Sequence, residues 1–275
     1  MHTRYATSPQ QIPAFDTDAL RSHYLVEDLF PSDRVETAYS HEDRLVVGGV
    51  APRAGTPVRL ESPEALRAEY FLQRREAGVV NVGTGTGVVD VDGTKYELAA
   101  KDVLYIGRGA RDVSFAGTGE AAFYLVSTPA HASHPTRRAT LADATPVSLG
   151  EQRTSNERTI YKFIHDEGIQ SCQLVLGVTE LAAGSMWNTM PAHTHVRRTE
   201  VYLYFGLDPD QRVVHLMGEP QQTRNLVVAD RQAVISPPWS IHCGFGTANY
   251  AFVWAMGGEN TDYGDVVPAP ITELR

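Results

Sequence analysis

Short runs rich in Val, Ile, Tyr and Phe recur along this chain, and Gly, Pro or Asp closes each within a few residues. "RLVVGGV", "AGVVNVG", "GVVDVDG", "VLYIGRG" and "AAFYLVS" lie in the first half; "CQLVLGV", "EVYLYFG", "NLVVAD", "AVISPP" and "YAFVWAM" lie in the second. β-Branched and aromatic side chains suit a pleated, half-buried surface, and the closing residues set turns. "VDGTK" adds a hairpin turn at Asp92-Gly93, a pair at ease with the positive φ such turns need. Helical signals are few. "DTDALRSHYL" can start with Asp16 or Thr17 as N-cap, and "SPEALRAEY" offers Ser62 as cap with Pro63 in the first turn. The pattern predicts an all-β chain of the sandwich or barrel class.

A chain of 275 residues can hold two ordinary domains. From Pro129 to Arg158 the strand pattern lapses into a polar, Thr- and Ser-rich stretch with one helical turn at 141 to 144. The expected division is a first domain over 1–130, a linker over 131–158 and a second domain over 159–275. The halves read as distant copies. "RRE" at 74 to 76 precedes "AGVVNVG" as "RRTE" at 197 to 200 precedes "VYLYFG", and "DVLYIGRGARDV" lies over "AVISPPWSIHCG", setting Asp112 against His242. Two β-domains of common design account for both matches in order.

A formal charge of -9 argues against a nucleic-acid or anionic-membrane surface. No apolar run is long enough to span a bilayer as a helix. "MHTRYATSPQQIPAF" lacks the apolar core of a signal peptide, and only Cys172 and Cys243 occur, so a cytoplasmic protein without a disulfide framework is expected.

The chemistry concentrates in "PAHTHVRRTEVYLYF", residues 191 to 205. Side chains alternate along a strand, so His193 and His195 point the same way. If the four residues after His195 form a hairpin turn, Glu200 opens the next strand beside them. A fourth ligand should arrive from a strand much later, and "SPPWSIH" supplies His242 just past a Pro-Pro turn. Three imidazoles and one carboxylate suit Zn, Mn, Fe or Ni, and open coordination positions would make such a site catalytic. In the first half the matching places hold Glu69, Phe71, Glu76 and Asp112, with no imidazole, so one metal per chain is expected.

H-x-H-x4-E with a distant His resembles the paired motifs of the cupin superfamily, with Pro237 kept, Trp239 in the usual Gly place and Gly246 in the usual Asn place. "YSHEDRLVVGGVAP", "FLQRREAGVVNVGTGTGVVDVDG", "DVLYIGRGARDVSFAG", "WNTMPAHTHVRRTEVYLYF" and "AVISPPWSIHCGFGT" are similar to the 5-keto-4-deoxyuronate isomerase family of pectin breakdown. That resemblance implies two cupin-like β-barrel or jelly-roll domains and Zn held by His193, His195, Glu200 and His242. It also implies a hexamer, and interconversion of an open-chain 5-keto-4-deoxyuronate with 3-deoxy-D-glycero-2,5-hexodiulosonate. Two alternatives stand beside it: a cupin dioxygenase using Fe or Mn, and a non-catalytic sugar-binding cupin, a class that typically loses its ligands.

Other residues carry weaker signals. Arg74, Arg75, Arg197 and Arg198 can each clamp a carboxylate, and Arg198 shares strand parity with Glu200. Tyr202 and Tyr204 share that parity too. Arg198 and Tyr204 are the candidates for substrate contact, and Tyr202, Lys162 (set among apolar neighbours in "TIYKFI") or metal-bound hydroxide for the general base. His131 and His134 have no third ligand nearby, and "GTGTG" at 83 to 87 lacks the strand-turn-helix setting of a phosphate loop. "VYLYF" and "YAFVWAM" are apolar at both strand parities, which predicts partners covering their outer faces and hence a homo-oligomer.

Overall fold

The computed structural model describes residues 1–53, 55–259 and 264–275. The chain forms two compact units. Residues 1–3, 28–144 and 162–176 make the first; residues 4–27, 145–161 and 177–275 make the second. This division exchanges segments that a single cut at 131–158 would keep apart. The helix Thr17–Tyr24, capped by Asp16 Oδ1 accepting from the Ala19 N–H at 2.9 Å, leads into strand Leu25–Val26. That strand pairs with Gln232–Ser236 and closes an edge of the second unit's sheet, so residues 4–27 belong there. The polar stretch is no bare linker either: Arg137–Ala139 is an edge strand of the first unit and Thr145–Leu149 of the second.

Each unit is built from a seven-stranded and a four-stranded sheet. In the second, the large sheet runs Thr145–Leu149, Arg158–Ile164, Val175–Leu181, Ala251–Gly258, Arg198–Phe205, Gln232–Ser236, Leu25–Val26. The small sheet runs Trp187–Asn188, Cys243–Gly246, Val213–Glu219, Gln222–Val228, and a separate pair joins Ala192–His195 to Val266–Ala269. The first unit repeats the heart of this plan. Phe123–Pro129, Arg75–Asn81 and Val103–Ile106 lie side by side as Ala251–Gly258, Arg198–Phe205 and Gln232–Ser236 do in the second. Val113–Gly117, Gly87–Val91 and Thr94–Leu98 likewise match Cys243–Gly246, Val213–Glu219 and Gln222–Val228. The copies seen in the sequence are therefore two jelly-roll-like sandwiches; among the described residues neither closes into a continuous barrel.

Local expectations fare unevenly. Asp92 and Gly93 both take positive φ, 51° and 86°, between Gly87–Val91 and Thr94–Leu98, as a two-residue hairpin requires. "SPEALRAEY" makes only a 3-10 turn over Glu64–Leu66, stopped by Arg67 at a φ of 47°. Ser62 caps nothing there; its hydroxyl donates to the Ala68 carbonyl. Both faces of Arg198–Phe205 and Ala251–Gly258 are buried within the single chain, so these strands do not themselves call for a partner.

Candidate metal centre

His193 and His195 stand at alternate positions of Ala192–His195, and a two-residue turn at Val196 and Arg197 leads into Arg198–Phe205, where Glu200 is the third residue. The turn is shorter than the sequence suggested, because the strand begins at Arg198. His242 comes from the segment after Pro237-Pro238, directly before strand Cys243–Gly246. Three parts of the second unit thus deliver four side chains to one spot.

There the three imidazoles present Nε2. His193 Nε2 is 3.2 Å from His195 Nε2 and 3.0 Å from His242 Nε2, while Glu200 Oε2 is 3.0 Å from His195 Nε2 and 2.8 Å from His242 Nε2. All four ligand atoms lie within 4.8 Å of one another, the one such group among the described residues. Ligand bonds of ~2.1 Å to one ion put neighbouring ligand atoms ~3.0–3.4 Å apart, so the donor set fits a small divalent cation. The chemistry agrees: lone pairs of facing imidazole nitrogens and a carboxylate converge, an arrangement that repels itself unless a cation or protons lie between.

Burial tunes these groups. His193 is pushed down to about 3, chiefly by burial and then by His242, so it offers a neutral, ligand-competent ring. Burial pushes the Glu200 carboxyl up, but His242 and His195 outweigh that and hold it well below the usual range. Deeper in the sandwich, burial and the Glu200 charge raise Tyr202 well above an ordinary phenol, so its hydroxyl keeps its proton. That hydroxyl lies 2.9 Å from Thr189 Oγ1, and the Tyr202 ring centroid is 5.5 Å from that of His242.

The other residues singled out in the sequence are placed as follows. Tyr204 is fully buried with its hydroxyl 2.8 Å from His215 Nδ1. Gly244 leaves room for it, since a Cβ there would stand 3.0 Å from the Tyr204 oxygen. Arg198 is 0% exposed and its Nη2 lies 2.6 Å from Asp265 Oδ1. Lys162 is partly exposed and lies on Arg158–Ile164, which Val175–Leu181 and Ala251–Gly258 separate from the Glu200 strand in the sheet. Arg74 and Arg197 are exposed, whereas Arg75 is buried and donates to Ser127 Oγ, the Ser127 carbonyl and the Arg44 carbonyl. His131 and His134 lie in the first unit.

In the first unit Glu69 is exposed, Phe71 is core, and Asp112 is exposed and ion-paired with Arg59. Glu76, on the strand matching that of Glu200, is fully buried but already saturated. Its carboxylate accepts from Tyr105 Oη at 2.7 Å, Thr128 Oγ1 at 3.2 Å, and the backbone N–H groups of Cys172, Gln173 and Leu174 at 2.8, 2.8 and 3.0 Å.

Three residues near the centre were not singled out in the sequence. His215 is an isolated histidine in "VVHLMGE", and only strand alternation hinted that it faces inward. Asp265 lies beyond the last strong strand. Arg158 opens "RTIYKFI"; burial lowers its guanidinium, with Tyr202 and Tyr250 acting against that.

Residues 30–267 match the KduI/IolB family. The chain belongs to that family. It is 53% identical over 277 residues to the 4-deoxy-L-threo-5-hexosulose-uronate ketol-isomerase of Bacillus pumilus, covering 100% of both chains. It is 52% identical over 281 residues to the protein of the same name from Kineococcus radiotolerans, again covering 100% of both. Among solved structures it is similar to an IolB-like protein of Salmonella typhimurium, with a TM-score of 0.66 and 15% identity over 82% of this chain and 86% of that one, a likeness of fold alone. No helix among the described residues is long and apolar enough to cross a membrane.

Proposed function

We propose that this member of the KduI/IolB family is a 4-deoxy-L-threo-5-hexosulose-uronate ketol-isomerase, working as a cytoplasmic hexamer with one zinc ion per chain. The observation that carries the reading is the convergence of three neutral-capable imidazole Nε2 atoms and the Glu200 carboxylate in a chain half identical, end to end, to proteins of that name. His193, His195, Glu200 and His242 would hold the ion, and a divalent cation there would polarise the substrate's carbonyl and neighbouring hydroxyl and offset the negative charge that develops on them.

The reaction moves hydrogen and leaves the atom count unchanged. A proton leaves the hydroxyl-bearing carbon beside the aldehyde, an enediol forms, and a proton returns to the former aldehyde carbon. Of the two side-chain acid–base candidates, Tyr202 neighbours the ligands and Lys162 lies three strands away in the sheet, so the reading gives the proton work to Tyr202. Its buried phenol keeps its proton, which suits it first to donating toward a substrate oxygen. Arg198, fully buried against Asp265, and Tyr204, fully buried against His215, are not assigned the substrate contact in this reading. Zinc is favoured by the nitrogen-rich donor set. Exposed Val196, Val266, Val267 and Ile271 cluster on and beside the Ala192–His195/Val266–Ala269 pair, and support a subunit contact there.

The test is conversion of the unsaturated-uronate-derived 5-keto-4-deoxyuronate by the purified metal-loaded protein, followed by NMR in sealed, oxygen-monitored tubes. Ketose formation without oxygen uptake is expected. Oxygen consumption, or no conversion by metal-loaded protein, overturns the reading.

A further inference from the structure

His195 turns Nε2 to the centre, which leaves Nδ1 facing away from it. Asp265 Oδ1 lies 3.4 Å from that Nδ1, a charge contact in which the two atoms do not hydrogen-bond, and 2.6 Å from Arg198 Nη2. The three side chains are 3%, 5% and 0% exposed, so the carboxylate is sealed in with one cation and one imidazole. Backbone pairing brings it there. Strand Val266–Ala269 runs antiparallel to Ala192–His195 with Val266 opposite His195, and Asp265 is the next residue beyond that pair. Gly258 permits the tight corner, since a Cβ on it would come within 2.6 Å of the Arg198 Cβ.

We infer that Asp265, held by Arg198, is a positioning residue that fixes the tautomer and ring angle of His195. This rests on the reading of the four-residue group as a metal centre. A neutral imidazole carries one proton, and the negative charge beside Nδ1 favours that proton there, which leaves the Nε2 lone pair for a cation. The negative charge also makes the ring a better donor to a cation, while Arg198 keeps the buried carboxylate compensated. His242 also has an acceptor behind it: its Nδ1 lies 3.4 Å from the Ser240 backbone carbonyl. Among the described residues, His195 and His242 each have an acceptor behind Nδ1, and that of His195 is charged.

The test measures metal affinity, not turnover. Metal-free wild type, Asp265→Asn and Asp265→Ala are titrated with cobalt(II) against a chromogenic chelator, and the melting temperature of each metal-free protein is recorded. Wild type should bind one cobalt(II) per chain. Asp265→Ala should bind ~10–100-fold more weakly, and Asp265→Asn, which keeps a neutral amide oxygen beside Nδ1 but lacks the charge, should fall between. Should the alanine variant fail to fold, the asparagine variant decides. Affinities within twofold of wild type, even with lowered melting temperatures, would show that Asp265 only braces the fold and would overturn the inference. A wild type that binds no cobalt(II) would overturn the metal centre and this role with it.

Discussion

Glu76 is where the two units part chemically, and replacing it tests that difference. In Glu76→Gln the side chain keeps its shape. The retained oxygen can still accept from the Gln173 and Leu174 N–H groups, but without charge. The new amide NH2 then faces the Cys172 N–H, donor against donor, while Tyr105 can rotate its hydroxyl to accept. A hydrogen bond to a charged acceptor contributes ~1.5–3 kcal/mol and a neutral one ~1 kcal/mol, so weakening two such bonds and breaking a third should cost about 3 kcal/mol. Glu76→Ala strands three backbone donors and should cost more, on the order of 5 kcal/mol. Hydrogen exchange read by mass spectrometry on peptides spanning 170–176, with the melting temperature alongside, is the assay. Protection there should drop while metal content per chain stays at the wild-type value. Unchanged protection would refute the view that this carboxylate holds the 172–174 backbone; loss of metal would refute its separation from the centre.

Three further outcomes follow from the second unit. His242→Ala should retain its far-UV dichroism yet lose metal by at least ~100-fold in affinity and lose turnover, since a ligand should matter no less than the groups behind it; tight metal binding by this variant would count against the ligand set. Tyr202→Phe should lower kcat by ~10²-fold or more with KM little changed, as loss of a proton donor does; an effect on KM alone would assign the hydroxyl to binding. Folded His215 stays neutral down to about 3, whereas an unfolded imidazole takes up a proton near 6.5. The unfolded state therefore binds more protons between those values, and metal-free protein should lose up to a few kcal/mol of stability as pH falls through that window; His215→Gln should flatten the fall in urea-melt series, and an identical slope would refute the assignment.

Much of this was legible in the sequence because strand alternation and turn chemistry are local rules. His193 and His195 at alternate positions, Glu200 five residues on, and His242 after a double proline meet as their spacing suggests. The repeat was legible too, down to Asp112 and His242, which both directly precede matching strands. What escaped depends on pairing between distant segments. Asp265 reaches His195 only because Val266–Ala269 pairs with a strand about 70 residues earlier, and nothing in "YGDVVPAP" announces that partner. Glu76 finds its backbone donors 96 to 98 residues later, so the repeat could mark its place but not its role. The exchange of residues 4–27 and 162–176 between the units has the same origin. Arg198 read as a substrate-carboxylate clamp from its shared parity with Glu200; its burial against Asp265 is a tertiary fact.

Stepwise restoration of the metal-free protein tests the central claim most directly. Zinc is added in fractions of an equivalent per chain, and at each step the initial rate of aldose-to-ketose conversion is read by proton NMR in heavy water. The rate should climb linearly and level at one equivalent, with deuterium entering the product at the former aldehyde carbon. Full activity without added metal, or a plateau only at two equivalents, would contradict a single catalytic centre at His193, His195, Glu200 and His242.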